Sequence, residues 1–183
     1  MGTGYADRAS AHPNRTVIGV VYIGMEFNGL PLHPLVIHVV VVFAPLAGVG
    51  GILYAAVPKW RWLLRWPLVA CAVVAAAAGI LAVKSGQDLE TQRHLQTLPE
   101  LATHASRGRF LRWVLLAFLV PTTLAAWLLG GPTPIASGKG GQKTRGGALV
   151  GIGLAAVLLL GGLLVCYCVF LTGDSGAKTV WGS

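Results

Sequence analysis

Apolar residues fall along this chain in four long blocks, each continuous rather than periodic. Pro34–Val57, Trp66–Val83, Trp113–Leu129 and Ala148–Leu171 contain no Lys, Arg, Asp or Glu. A helix rises about 1.5 Å per residue and the hydrocarbon layer is about 30 Å thick, so ~20 apolar residues make one crossing. The first and last blocks exceed that length. The middle two reach it with Trp62, Leu63 and Leu64, and with Phe110 and Leu111, from their flanks. The pattern predicts an all-α fold, an integral membrane four-helix bundle with spans at about 34–57, 62–83, 109–129 and 148–171. The lipid bilayer is its first partner.

The polar segment between the second and third blocks is not a plain loop. Lys84–Gln96 has helix-forming composition and Pro99-Glu100 reads as a fresh helix start. The second and third helices are therefore expected to run on past the membrane as an extended outer helical hairpin that turns near Gln96–Pro99. Pro45 and Pro121 fall inside the first and third spans and are expected to kink them. Pro67 is expected in the first turn of the second helix, where its missing N–H costs nothing. Small residues mark faces for close helix approach: Gly48, Gly50 and Gly51, Ala75–Gly79, the pair Gly147 and Gly151, and Gly161 with Gly162. In lipid such faces hold helices together, and their abundance points to a homo-oligomer or a partner in a membrane complex.

The spans and their connections occupy most of the 183 residues, so no second core fits outside the membrane. Residues 25–183 read as a single four-span domain. Residues 1–24 read as a disordered tail or as sequence ahead of a start at Met25. Thr16–Met25 is too short to span and lacks a small-residue cleavage pattern.

A net charge of +8 in a soluble protein would suggest nucleic acid, but here only 11% of residues are charged. The basic residues are topology determinants and headgroup contacts, and no nucleic-acid partner is expected. Lys59, Arg61, Arg65, Lys139, Lys143 and Arg145 occupy the two connections on one side with no acidic residue among them. Positive-inside logic places that side in the cytoplasm and both termini outside a bacterial cytoplasmic membrane. Trp60, Trp62 and Trp66 form an aromatic belt at the inner headgroup level. Gly138-Lys139-Gly140-Gly141 only superficially resembles a phosphate-binding loop, because Thr133 replaces its first glycine and no strand precedes it.

Cys71, Cys166 and Cys168 all fall inside spans and read as small packing groups. The histidines are more informative. His33 and His38 flank the outer start of the first helix, with His33 expected just outside it because Pro34 follows. His94 and His104 lie on the two arms of the outer hairpin, and Asp174 follows the outer end of the fourth helix. Two readings stand. In one, these residues form a structural polar network in which Asp174 caps a turn of the tail. In the other, imidazoles from different helices ligate a b-type haem or a divalent metal. His33 and His38 differ by roughly 140° around a helix, so any such site has to be shared between helices.

Three segments together carry a resemblance: Asn28-Gly29-Leu30-Pro31-Leu32-His33-Pro34-Leu35-Val36-Ile37-His38, Ala102-Thr103-His104-Ala105 with Gly108, and Gly173-Asp174-Ser175-Gly176-Ala177-Lys178. Over residues 25–183 the chain resembles the bacterial membrane family called domain of unknown function 2231. The resemblance implies a four-helix membrane bundle with histidines near its outer face. In many relatives a histidine stands before the tail glycines, where this chain has Asp174. The family brings no established activity. The sequence thus points to a small non-catalytic membrane protein that binds or partners something on its outer side, with a haem- or metal-ligating redox protein as the alternative.

Overall fold

The computed structural model describes residues 26–27, 30–93, 99–129 and 147–181. The expected tail or early start at 1–24, the turn of the outer hairpin, His94 and the basic connection 130–146 lie outside those residues. A two-residue antiparallel pairing of Glu26–Phe27 with Leu30–Pro31 leads into the first helix. Four long helices follow: α1 Leu32–Ala56, α2 Arg61–Arg93, α3 Pro99–Leu128 and α4 Gly147–Trp181. All four are long and apolar enough to cross a membrane. α1 and α3 each pack along both α2 and α4, which sets them diagonally across the bundle.

The helices have apolar residues on every side because their outer faces meet lipid, not water. Leu149, Ile152, Leu160 and Phe170 of α4 point outward, Phe170 being 71% exposed. The interior depends on small residues. A Cβ on Gly162 would lie 2.5 Å from the carbonyl oxygen of Gly48, so α1 and α4 meet backbone to backbone. Phe118 of α3 fills the centre between Gly51 and Gly161, and a Cβ on either glycine would clash with its ring. Cys166 places its thiol against Gly48 and Cys168 is buried, so both act as small packing groups.

At the end that carries Trp60, Trp62 and Trp66, α1 stops at Ala56 and a 3₁₀ turn over Pro58–Trp60 leads into α2. Arg61 satisfies the orphan carbonyls of the α1 terminus, donating from Nε to Tyr54 at 3.0 Å and from its terminal nitrogen to Ala55 at 3.5 Å. The Tyr54 side chain is fully buried, and its hydroxyl donates to the Ala125 carbonyl of α3 at 3.2 Å.

Four local expectations are revised. Pro67 lies well inside α2, because that helix already begins at Arg61 out of the 3₁₀ turn. His33 is within the first turn of α1, not before it, since Pro34 there needs no hydrogen-bonded N–H. Asp174 caps no tail turn, because α4 continues through it to Trp181. Gly147 opens α4 with φ 78°, and a Cβ there would meet nothing within 4 Å. Its requirement for glycine comes from the backbone rather than from a helix contact.

Candidate functional site

α2 and α3 run past their apolar blocks at the end of the bundle opposite the tryptophans. There two histidines are seated in the same way. His33 of α1 places Nδ1 3.0 Å from the Ala82 carbonyl and 3.2 Å from the Ser85 hydroxyl of α2. His104 of α3 places Nδ1 3.1 Å from the Thr172 carbonyl and 3.4 Å from the Ser175 hydroxyl of α4. In each seat the serine also donates to the same carbonyl, at 3.2 Å from Ser85 and 2.9 Å from Ser175.

The local sequence explains why these carbonyls are reachable. Side chains at i and i+4 stack along a helix, so the residue at i+4 normally covers the carbonyl of residue i from outside. The i+4 residues here are Gly86 and Gly176. A Cβ on Gly86 would approach the His33 ring to 3.0 Å, and one on Gly176 would approach the His104 ring to the same distance. Each seat is therefore a serine-glycine step on an even-numbered helix, receiving a histidine from the helix before it.

The partners also fix the tautomer. A carbonyl oxygen only accepts, so a ring nitrogen bonded to it carries the proton. Both Nδ1 atoms are thereby N–H donors, and the lone pair of each ring is left on Nε2. Among the described residues neither Nε2 takes a hydrogen-bond partner. Both histidines line one cavity of about 1000 Å³ at this end of the bundle. The space exists because its walls carry small residues, including Gly79, Ala82, Ala105, Gly108 and Gly173, and no ring comparable to Phe118 fills it. Ile37, Val40 and Leu111 give the rest of the wall its apolar character.

The remaining candidate residues are placed differently. His38 is exposed, and its Nδ1 donates to the Pro34 carbonyl of its own helix at 2.6 Å. It does not line the cavity. Asp174 accepts from Lys178 at 2.9 Å and lies 3.9 Å from Arg107, while Arg107 donates to the Leu171 carbonyl at 2.9 Å. This group ties α3 to α4 outside the cavity wall. His94 falls outside the described residues, and the side chain of Glu100 is not described.

The sequence reading missed Ser85, Ser175, Gly86 and Gly176 as parts of the site. The signal was present in Ala82-Val83-Lys84-Ser85-Gly86 and Thr172-Gly173-Asp174-Ser175-Gly176. Both steps stand just past the end of an apolar block. Arg109 and Arg112 also line the cavity, which nothing in the sequence pattern leads one to expect.

Among the described residues no group of three or more His, Cys, Asp and Glu side chains is arranged to hold a metal ion. No curated protein and no solved structure matches the chain. The family model described as predicted membrane protein, domain of unknown function 2231, matches residues 29–183, and the chain belongs to that family.

Proposed function

We propose that this is a membrane haem protein in which His33 and His104 would hold the iron of a b-type haem in the cavity. One observation carries the reading: two imidazoles on diagonal helices, each with Nδ1–H anchored to a carbonyl, both on the wall of one apolar cavity. Metal-ligating histidines characteristically donate the other ring N–H to a carbonyl or carboxylate, which fixes ring orientation and leaves a lone pair for the metal. Two protein ligands would suffice for a porphyrin iron, since the macrocycle's own nitrogens would supply the rest. A bare divalent ion would need more protein ligands than these two.

The charge pattern supports a wider reading. The protein resides in a bacterial cytoplasmic membrane with both termini and the histidine end outside, where it binds haem for electron transfer or passes it to a membrane partner. The network reading explains the Nδ1 bonds but gives no reason for the two rings to share one cavity.

The test is spectroscopic. Protein produced with a haem precursor and purified in mild detergent should show a Soret band and the sharpened reduced bands of bis-imidazole coordination. His33→Ala and His104→Ala should each abolish that signature, and His38→Ala should keep it. A colourless protein that takes up no added haemin would end the proposal.

A further inference from the structure

Arg109 and Arg112 of α3 line the same cavity, yet among the described residues neither forms an ion pair or donates a hydrogen bond. Arg112 lies over the Trp113 ring, its guanidinium carbon 4.9 Å from the ring centroid, and its Nε is buried with no partner. Glu90 also lines the cavity, and among the described residues no ion pair joins it to either arginine. Arg109 is exposed, but the buried Nε of Arg112, unpartnered among the described residues beside apolar walls, is costly unless an anion completes it. The nearest comparison is Arg107 on the same helix, which has both a carbonyl and the Asp174 carboxylate.

We infer that Arg109 and Arg112 form an anion seat that takes the carboxylates of the ligand in this cavity. The ligand class is thus a flat, largely apolar molecule carrying carboxylate groups. Guanidinium suits this role, because its planar donor fork matches a carboxylate and stays charged at any working pH. The inference rests on the haem reading only for the identity of the flat molecule. Lipid phosphate is the other source of negative charge at this depth, and the experiment separates the two.

The full chain is placed in nanodiscs of zwitterionic phosphatidylcholine and titrated with metal-free protoporphyrin IX and with its dimethyl ester. Neither compound can be ligated by histidine, and they differ only in the carboxylates. Wild-type protein should bind the free acid at least tenfold more tightly than the ester, read from porphyrin fluorescence. The double variant Arg109→Gln/Arg112→Gln should lose that preference. Arg65→Gln is the control, since Arg65 also stacks on its following tryptophan with a buried, unpartnered Nε but sits at the other end of the bundle. It should leave the preference intact. Equal binding of acid and ester by the wild type, or a preference that survives in the double variant, overturns the anion seat and returns these arginines to the lipid headgroups. A haemin titration run in parallel reads the histidines separately. Bis-imidazole bands without a carboxylate preference would retain the haem reading and reject the seat, and the reverse result would retain the seat alone.

Discussion

His104 rests its ring against the bare backbone of Gly176. A methyl group added there would lie 3.0 Å from Cε1 and 3.2 Å from Nδ1, tighter than side chains normally pack. His33 stands against Gly86 in the same way, at 3.0 Å and 3.3 Å. Gly86→Ala and Gly176→Ala are therefore expected to have opposite effects on two measurements. Alanine is a better helix former than glycine by roughly 0.5–1 kcal/mol, which favours the helix. The displaced ring should weaken haem binding by about tenfold, equivalent to ~1.4 kcal/mol. Thermal melting of the ligand-free protein together with haemin titration of each variant checks this. A variant that loses stability and keeps full affinity would show that the ring does not depend on the glycine.

Much of the fold was legible because lipid imposes one rule on every span. Uninterrupted apolar blocks that lack charge can only be helices there, and the helix-forming run from Lys84 carried α2 outward to Arg93 as expected. The site was less legible, for a physical reason. Histidine spacing along the chain carries no information about which helices are diagonal, so either His33 or His38 was eligible to share a site with His104. Packing separates them: His33 reaches the wall of the cavity that His104 also lines, while His38 bonds to its own helix. Asp174 drew attention by its charge, yet the neighbouring Ser175 and Gly176 build the seat. Small residues at span ends are easily read as generic packing when their spacing from a carbonyl is not considered.

At the centre of the bundle, Gly48 and Gly162 leave no room for any side chain between α1 and α4. Gly162→Val should destabilise the protein by about 2–3 kcal/mol through overpacking and forced separation of the helices. Gly153, where a Cβ would meet nothing within 4 Å, serves as the control, and Gly153→Val should change stability far less. Unfolding of both variants from mixed micelles, followed by circular dichroism, tests the contrast. Equal losses would mean that valine in α4 is costly by itself.

Tyr54 makes a smaller and more local contribution. Its hydroxyl donates to the Ala125 carbonyl, which also accepts from the Leu129 N–H at 2.8 Å. Tyr54→Phe removes the donor but leaves that carbonyl with a partner, so the loss should be only about 0.5–1 kcal/mol. Tyr54→Ala empties a fully buried site and should cost about 3–5 kcal/mol. The same unfolding assay separates the two, and similar losses for Phe and Ala would assign the role to the hydroxyl rather than to the ring.

The orientation of the bundle sets which compartment the cavity faces, and charge alone predicts it. Lys59, Arg61, Arg65, Lys139, Lys143 and Arg145 fall in the first and third connections of the sequence, which contain no acidic residue. Moving such basic segments across the membrane is disfavoured, so that side should stay in the cytoplasm and both termini should be outside. Arg107, Arg109 and Arg112 pull the other way, but they lie on the side that also holds Asp88, Glu90, Glu100 and Asp174. The experiment begins by replacing Cys71, Cys166 and Cys168 with alanine and placing single cysteines at Ser137 and Ser183. In intact cells a membrane-impermeant thiol reagent should label position 183 and reach position 137 only after permeabilisation. Labelling at 137 without 183 would invert the topology and place the histidine cavity on the cytoplasmic side.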